Sequence, residues 1–131
     1  MKKTDEIALD SSVLIAHFRN DTAISERLEE FDTLWIPAPV IAEVLFGVLL
    51  LAHPEKKEKE LDDFLSKVKI IDCTRNVSEK HARIKIYLQS IGKMIPVNDI
   101  WIAACCVARN KTLATRDAHF KNVVGLRAEM R

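Results

Sequence analysis

Cysteine is scarce in this chain: there are three in 131 residues, an odd number with no CxxC spacing. That excludes a disulfide framework and a cysteine-rich metal site. Cys105 and Cys106 are adjacent in an apolar stretch, where cysteine behaves as a small hydrophobe, and the pattern suits a reducing cytoplasm. Long hydrophobic runs are also absent. Val40 to Ala52 is too short to span a bilayer and carries Glu43. No secretory leader is visible: Lys2, Lys3, Asp5 and Glu6 precede a short apolar run that Asp10 breaks. Neither sign of charge prevails. Lys and Arg number 20 against 19 Asp and Glu, so bulk charge says nothing about nucleic acid. The histidines at 17, 53, 81 and 119 show no HxxxH spacing, which argues against zinc. There is no repeat, no linker and no low-complexity segment.

What is present is an alternation of short β-like runs and helical periods. Ile7–Leu9, Leu34–Ile36, Val68–Ile71 and Thr112–Thr115 read as strands, with Val123-Val124 as a short fifth. Between them lie amphipathic stretches. Ser11-Ser12 and Asn20-Asp21-Thr22 offer helix caps, and Pro39 suits the first turn of a helix burying Ile41, Val44, Leu45, Val48 and Leu49. Leu61, Phe64, Leu65 and Val68 form the apolar stripe of a charged helix. Val77, His81, Ile84, Leu88 and Ile91 mark another, closed by Gly92, with His81 a packed side chain. A last helix spans Val97 to Arg109. Strands separated by helices predict one α/β domain over residues 1–131: a parallel sheet of four to five strands with helices on both faces. Right-handed crossovers put every strand's carboxyl end on one edge, where ligands bind.

Four acids fall at or near that edge. Asp10 ends the first strand, Asp117 follows the fourth, and Asp99 opens the last helix. Glu43 is the lone charge in an apolar segment. An ionised carboxylate in apolar surroundings needs compensation, and several that converge suit a hard divalent cation such as Mg²⁺. Ser11, Ser12 and Thr115 could orient a carboxylate or cap a helix. Gly47, one turn beyond Glu43, either leaves room beside it or allows a close helix crossing. Asp72 also ends a strand but lacks a companion hydroxyl or acid. The chain's end is basic, with Arg109, Lys111, Arg116, Lys121, Arg127 and Arg131, a stretch able to hold a polyanion.

Four segments in this order resemble the PIN-domain nucleases, most closely the VapC-like toxins of VapBC toxin–antitoxin pairs. They are Leu9-Asp10-Ser11-Ser12-Val13-Leu14-Ile15, Glu43 with Gly47, Pro96 to Ala104 and Leu113 to Phe120. The resemblance implies a PIN-like fold and a Mg²⁺- or Mn²⁺-dependent endoribonuclease with Asp10, Glu43, Asp99 and Asp117 as catalytic metal ligands. Asp10 and Asp99 are its firmest positions and Asp117 its most variable. Ser11 stands where the family often has threonine and keeps the hydroxyl. The resemblance also implies a homodimer, an RNA substrate and a small DNA-binding, VapB-like antitoxin. Water attack on phosphorus would leave a 5′-phosphate and a 3′-hydroxyl, with Arg116 or Lys121 holding a neighbouring phosphate. The sequence is also compatible with two alternatives. One is a PIN ribonuclease without an antitoxin. The other is a phospho-acceptor receiver domain, with Asp72 as acceptor at the end of its third strand.

Overall fold

The computed structural model describes residues 5–130; Lys2, Lys3 and Arg131 lie outside them. The elements run β1 (Glu6–Leu9), α1 (Ser11–Phe18), α2 (Thr22–Leu28), β2 (Thr33–Pro37), α3 (Ala38–Leu49) and α4 (Glu55–Leu65). They continue with β3 (Lys69–Ile71), α5 (Arg75–Ser90), α6 (Val97–Arg109), β4 (Leu113–Thr115), a 3₁₀ turn (Ala118–Asn122) and β5 (Ala128–Met130).

The five strands form one parallel sheet in the order β3-β2-β1-β4-β5. From β1 the chain steps outward through β2 to β3, then returns past β1 to β4. With right-handed crossovers, α1 to α4 cover one face and α5 and α6 the other. The central strands are therefore apolar on both sides, as a parallel sheet requires: Ile7, Ala8 and Leu9 are buried, as are Leu113 and Ala114. Val13, Leu14 and Val40 close over one face and Ile100, Ile102 and Ala103 over the other.

Local signals explain the element ends. Pro39 sits in the first turn of α3, where a missing N–H costs nothing. Asp21 caps α2 by accepting from the Ile24 amide, and Thr74 caps α5 through Val77. Asn110 closes α6 in a left-handed conformation, and Gly92 follows α5 with φ +66°.

Three expectations change. Val123-Val124 is not a strand; the fifth strand is Ala128–Met130. The 3₁₀ turn buries Phe120 and Val123 as a plug, and Gly125 then redirects the chain, so β preference yields to packing. Leu49 is exposed at the end of α3 beside exposed Phe46, Leu50 and Leu51. The helix is apolar on more sides than the domain can cover. Finally, β3 is an edge strand separated from β1 by β2. Asp72 is thus remote from the strand-order reversal, and the receiver arrangement, in which the third strand neighbours the first, does not apply.

Candidate metal centre

The strand order reverses between β1 and β4, and the crevice outside their carboxyl ends is the natural ligand position. Register decides what lines it. Leu9 pairs with Ala114, and the Asp10 amide donates to the Ala114 carbonyl at 3.0 Å, so Asp10 lies level with Thr115.

Asp10 occupies the N-cap position of α1, but its side chain makes no capping hydrogen bond. Its Oδ2 instead accepts from Thr115 Oγ1 at 2.7 Å and Ser12 Oγ at 3.1 Å. Its Oδ1 is buried and has no hydrogen-bond partner among the described residues. An orphaned carboxylate oxygen in a site this dry is costly unless something positive binds it. Thr115 is fully buried and works in both directions, since its hydroxyl also accepts from the Asp117 amide at 2.9 Å. One hydroxyl thereby sets the Asp10 carboxylate and the start of the segment carrying Asp117.

Asp99 stands in the first turn of α6 with a side chain only 16% exposed. Burial, then the neighbouring Asp10 charge, push its carboxyl up to about 6; Asp117 and Glu43 add to the rise, and a hydrogen bond from His119 opposes it. The three other acids of the set thus all act on this one carboxylate. His119 Nδ1 lies 3.0 Å from Asp117 Oδ1 and 3.5 Å from Asp99 Oδ2. One ligand atom from each of Asp99, Asp117 and His119 falls within 4.8 Å of the others. Asp117 caps the 3₁₀ turn through the His119 amide at 2.9 Å.

Glu43 differs from expectation: it is exposed, so its apolar neighbours in sequence do not bury it. It faces the crevice from α3 and is held by two donors, Ser11 Oγ at 3.2 Å to Oε2 and Asn98 Nδ2 at 2.5 Å to Oε1. The serines therefore orient carboxylates and do not cap α1. Gly47 is also settled, because a Cβ there would meet nothing within 4 Å. Among the described residues no helix crosses at Gly47. It lines a groove of about 290 Å³ between α1, α3 and α4 that includes Glu43, Val44, Val48 and Leu51.

The donor set is hard and anionic, with a single imidazole, and the orphaned Asp10 oxygen is already dry. These residues fit a small divalent cation such as Mg²⁺ or Mn²⁺. The sequence profile of the PIN domain matches residues 7–126, which carry all four acids. The chain belongs to the PIN domain family. Ribonuclease VapC2 of Rickettsia felis is 32% identical over 102 residues, covering 77% of this chain and 76% of that protein. The crystal structure of VapBC2 from Rickettsia felis bound to a promoter DNA fragment contains a chain 27% identical to this one. It superposes with a TM-score of 0.87 over 96% of this chain and 98% of that one. DNA-bound VapBC from Salmonella typhimurium contains a chain of the same fold, with 22% identity and a TM-score of 0.89 over 96% and 98%.

In this PIN domain, motif reading overlooked His119 and Asn98. His119 has no ligand-spaced histidine in sequence, and only the 3₁₀ turn brings it between Asp99 and Asp117. Asn98, beside Asp99, does carry a signal, because the start of a helix presents consecutive side chains to one edge. His81 is packed as expected. It stacks on Trp101 with ring centroids 4.0 Å apart, and burial lowers its proton affinity. The basic end does not gather at the acids. Arg109 and Lys111 lie over Trp35, and Arg127 donates to Thr112 and Asn110. Arg109 ends α6, Lys111 precedes β4 and Arg127 precedes β5, which places all three at the opposite edge. Arg116 pairs with Asp21 at 2.7 Å, and Lys121 is exposed on the 3₁₀ turn.

Proposed function

We propose that this PIN domain is a VapC-type toxin, an endoribonuclease that depends on Mg²⁺ or Mn²⁺ and is restrained by a small VapB-like antitoxin. The observation that carries the catalytic half is the convergence at Asp99 of Asp10, Asp117 and Glu43, with Asp10 Oδ1 buried and unpartnered.

Asp10 and Asp99 would be the principal ligands of the ion, with Asp117, His119 and Glu43 completing the shell. A divalent ion held there would supply positive charge for the scissile phosphate and lower the pKa of an attacking water. The protein's share is preorganisation. Thr115 and Ser12 lock the Asp10 carboxylate, while Ser11 and Asn98 lock Glu43, so the acids need little rearrangement on binding. Direct attack by water leaves a 5′-phosphate and a 3′-hydroxyl.

The regulatory half rests on the VapBC neighbours and on apolar surface. The α1–α3–α4 groove suits an apolar segment of an antitoxin and ends at Glu43, where that segment would obstruct the acids. Two exposed apolar patches support two partners, the antitoxin and a second copy of the chain. One comprises Phe46, Leu49 and Leu50 of the α3 end, and the other Ile86, Ile91, Met94 and Val97 around the α5–α6 turn. No helix among the described residues is long and apolar enough to cross a membrane.

The test is cleavage of a structured RNA with Mg²⁺, with EDTA and by Asp10→Asn, followed by end-group analysis. Loss of cleavage in the last two, with 5′-phosphate ends in the first, is expected. A cyclic 2′,3′-phosphate product or full activity of Asp10→Asn would overturn the mechanism.

A further inference from the structure

We propose that the cleft between α1, the α1–α2 turn and the end of β4 is a phosphate subsite for the RNA strand. Arg19 and Arg116 grip the phosphate, and Asp21 holds Arg116 until RNA displaces it. The proposal rests on the RNA-cleaving reading of the acid centre.

The cleft measures about 470 Å³ and is lined by Ser12, Ile15, Ala16, Arg19, Asp21 and Arg116. That is within the range of small-ligand sites. It adjoins the metal centre directly, because Ser12 is a wall common to both. The Ser12 hydroxyl donates to Asp10 Oδ2 and accepts from the Arg116 amide at 3.1 Å. Two guanidinium groups thus line a cleft that adjoins the acid centre, and neither pairs with one of the four acids among the described residues. Arg116 donates to Asp21, which is not one of the four acids, and Arg19 is exposed and makes no ion pair among the described residues. Guanidinium is the side chain best matched to a phosphate, through paired hydrogen bonds.

Asp21 makes the cleft reversible. Its Oδ1 caps α2 through the Ile24 amide at 3.2 Å, and its Oδ2 accepts from Arg116 at 2.7 Å. The Arg116–Asp21 pair is solvent-exposed, with side chains 42% and 35% accessible, and such pairs are weak in water. An incoming phosphodiester can take over the guanidinium while the cap on α2 stays made. An RNA strand is favoured over an acidic peptide by covalent continuity. A strand with its scissile phosphate at the acids delivers the next phosphate to the adjoining cleft.

The experiment measures KM and kcat for a single-stranded oligoribonucleotide in Mg²⁺ across a KCl series, with anisotropy of the labelled oligonucleotide in EDTA alongside. Asp21→Asn keeps a good helix cap and frees Arg116, so KM should fall about twofold to fivefold, the worth of an exposed pair. Arg116→Gln and Arg19→Gln should raise KM, leave kcat near wild type, and each reduce the slope of log affinity against log salt by about 0.7. Cleavage whose KM and salt slope ignore all three substitutions would overturn the subsite and leave the nuclease standing. Arg116-dependent binding in EDTA without cleavage in Mg²⁺ would do the reverse. Loss of antitoxin binding by Arg116→Gln with RNA affinity unchanged would assign the cleft to an acidic peptide and overturn the proposal. Should Arg116→Gln fold poorly, Asp21→Asn and Arg19→Gln decide together: the subsite requires tighter binding in the first and, in the second, weaker binding with a shallower salt slope, and any other pair of results overturns it.

Discussion

Asp99→Asn should make the metal-free protein more stable while abolishing its activity. Burial and three neighbouring acids raise the Asp99 carboxyl from 3.8 to about 6. The folded chain therefore holds this proton more tightly than the unfolded chain, and ionising Asp99 above pH 6 opposes folding. At about 1.4 kcal/mol per pH unit, the ceiling on that cost is about 3 kcal/mol. Solvent contact at the carboxylate screens it to roughly 1–2 kcal/mol. Asparagine removes the charge and keeps the shape, so thermal melting in EDTA at pH 7.5 should show the variant higher by roughly 4–8 °C. The sign also sets the pH window. As pH falls through 6 toward 3.8, the wild-type carboxyl takes up its proton and recovers the lost stability, so the gap should close by about pH 4. Saturating Mg²⁺ should also narrow it, because the ion binds the folded wild type and stabilises it by mass action. A variant no more stable than wild type at pH 7.5, or a gap independent of pH, would refute the argument that these acids crowd one another.

Thr115→Val should lower metal affinity and cleavage about 10- to 100-fold, since the hydroxyl that aims Asp10 is lost. It should also cost about 1–3 kcal/mol in urea unfolding, because the Asp117 amide loses its acceptor. His119→Ala should weaken Mn²⁺ binding about tenfold and Mg²⁺ binding less, since imidazole suits the transition ion better; calorimetric titration of both ions checks this. Gly47→Ala should stabilise the protein by about 0.5–1 kcal/mol, the intrinsic helix gain over glycine where a Cβ meets nothing. Gly47→Leu should leave cleavage intact and weaken antitoxin binding about tenfold or more by filling the groove; unchanged binding would place the antitoxin elsewhere.

Much of the domain was legible without coordinates, and the reason is locality. A parallel sheet buried on both faces writes its strands as short apolar runs, so Ile7–Leu9 and Thr112–Thr115 stood out, and with them Asp10 and Asp117. Helix starts are marked by proline and small polar residues, which located Asp99 after Pro96. The ordered motifs carried the family and the acid set, because both are linear in the chain. Tertiary structure decided whatever depends on segments meeting. Sequence neighbours suggested that Glu43 was buried, but α3 turns it outward, and Ser11 and Asn98, from other helices, define its environment. His119 had no partner at ligand spacing, because its partners are 2 and 20 positions away and meet only through a 3₁₀ turn. Val123-Val124 has strand preference, but the plug formed by Phe120 and Val123 outweighs it. The basic tail splits between opposite edges of the sheet, which leaves Arg116 beside the acids and engaged with Asp21. Residue types and periodicities are properties of the chain alone. Which carboxylate is dry, which is aimed, and which cation stands beside it depend on strand register and on the reversal of strand order between β1 and β4.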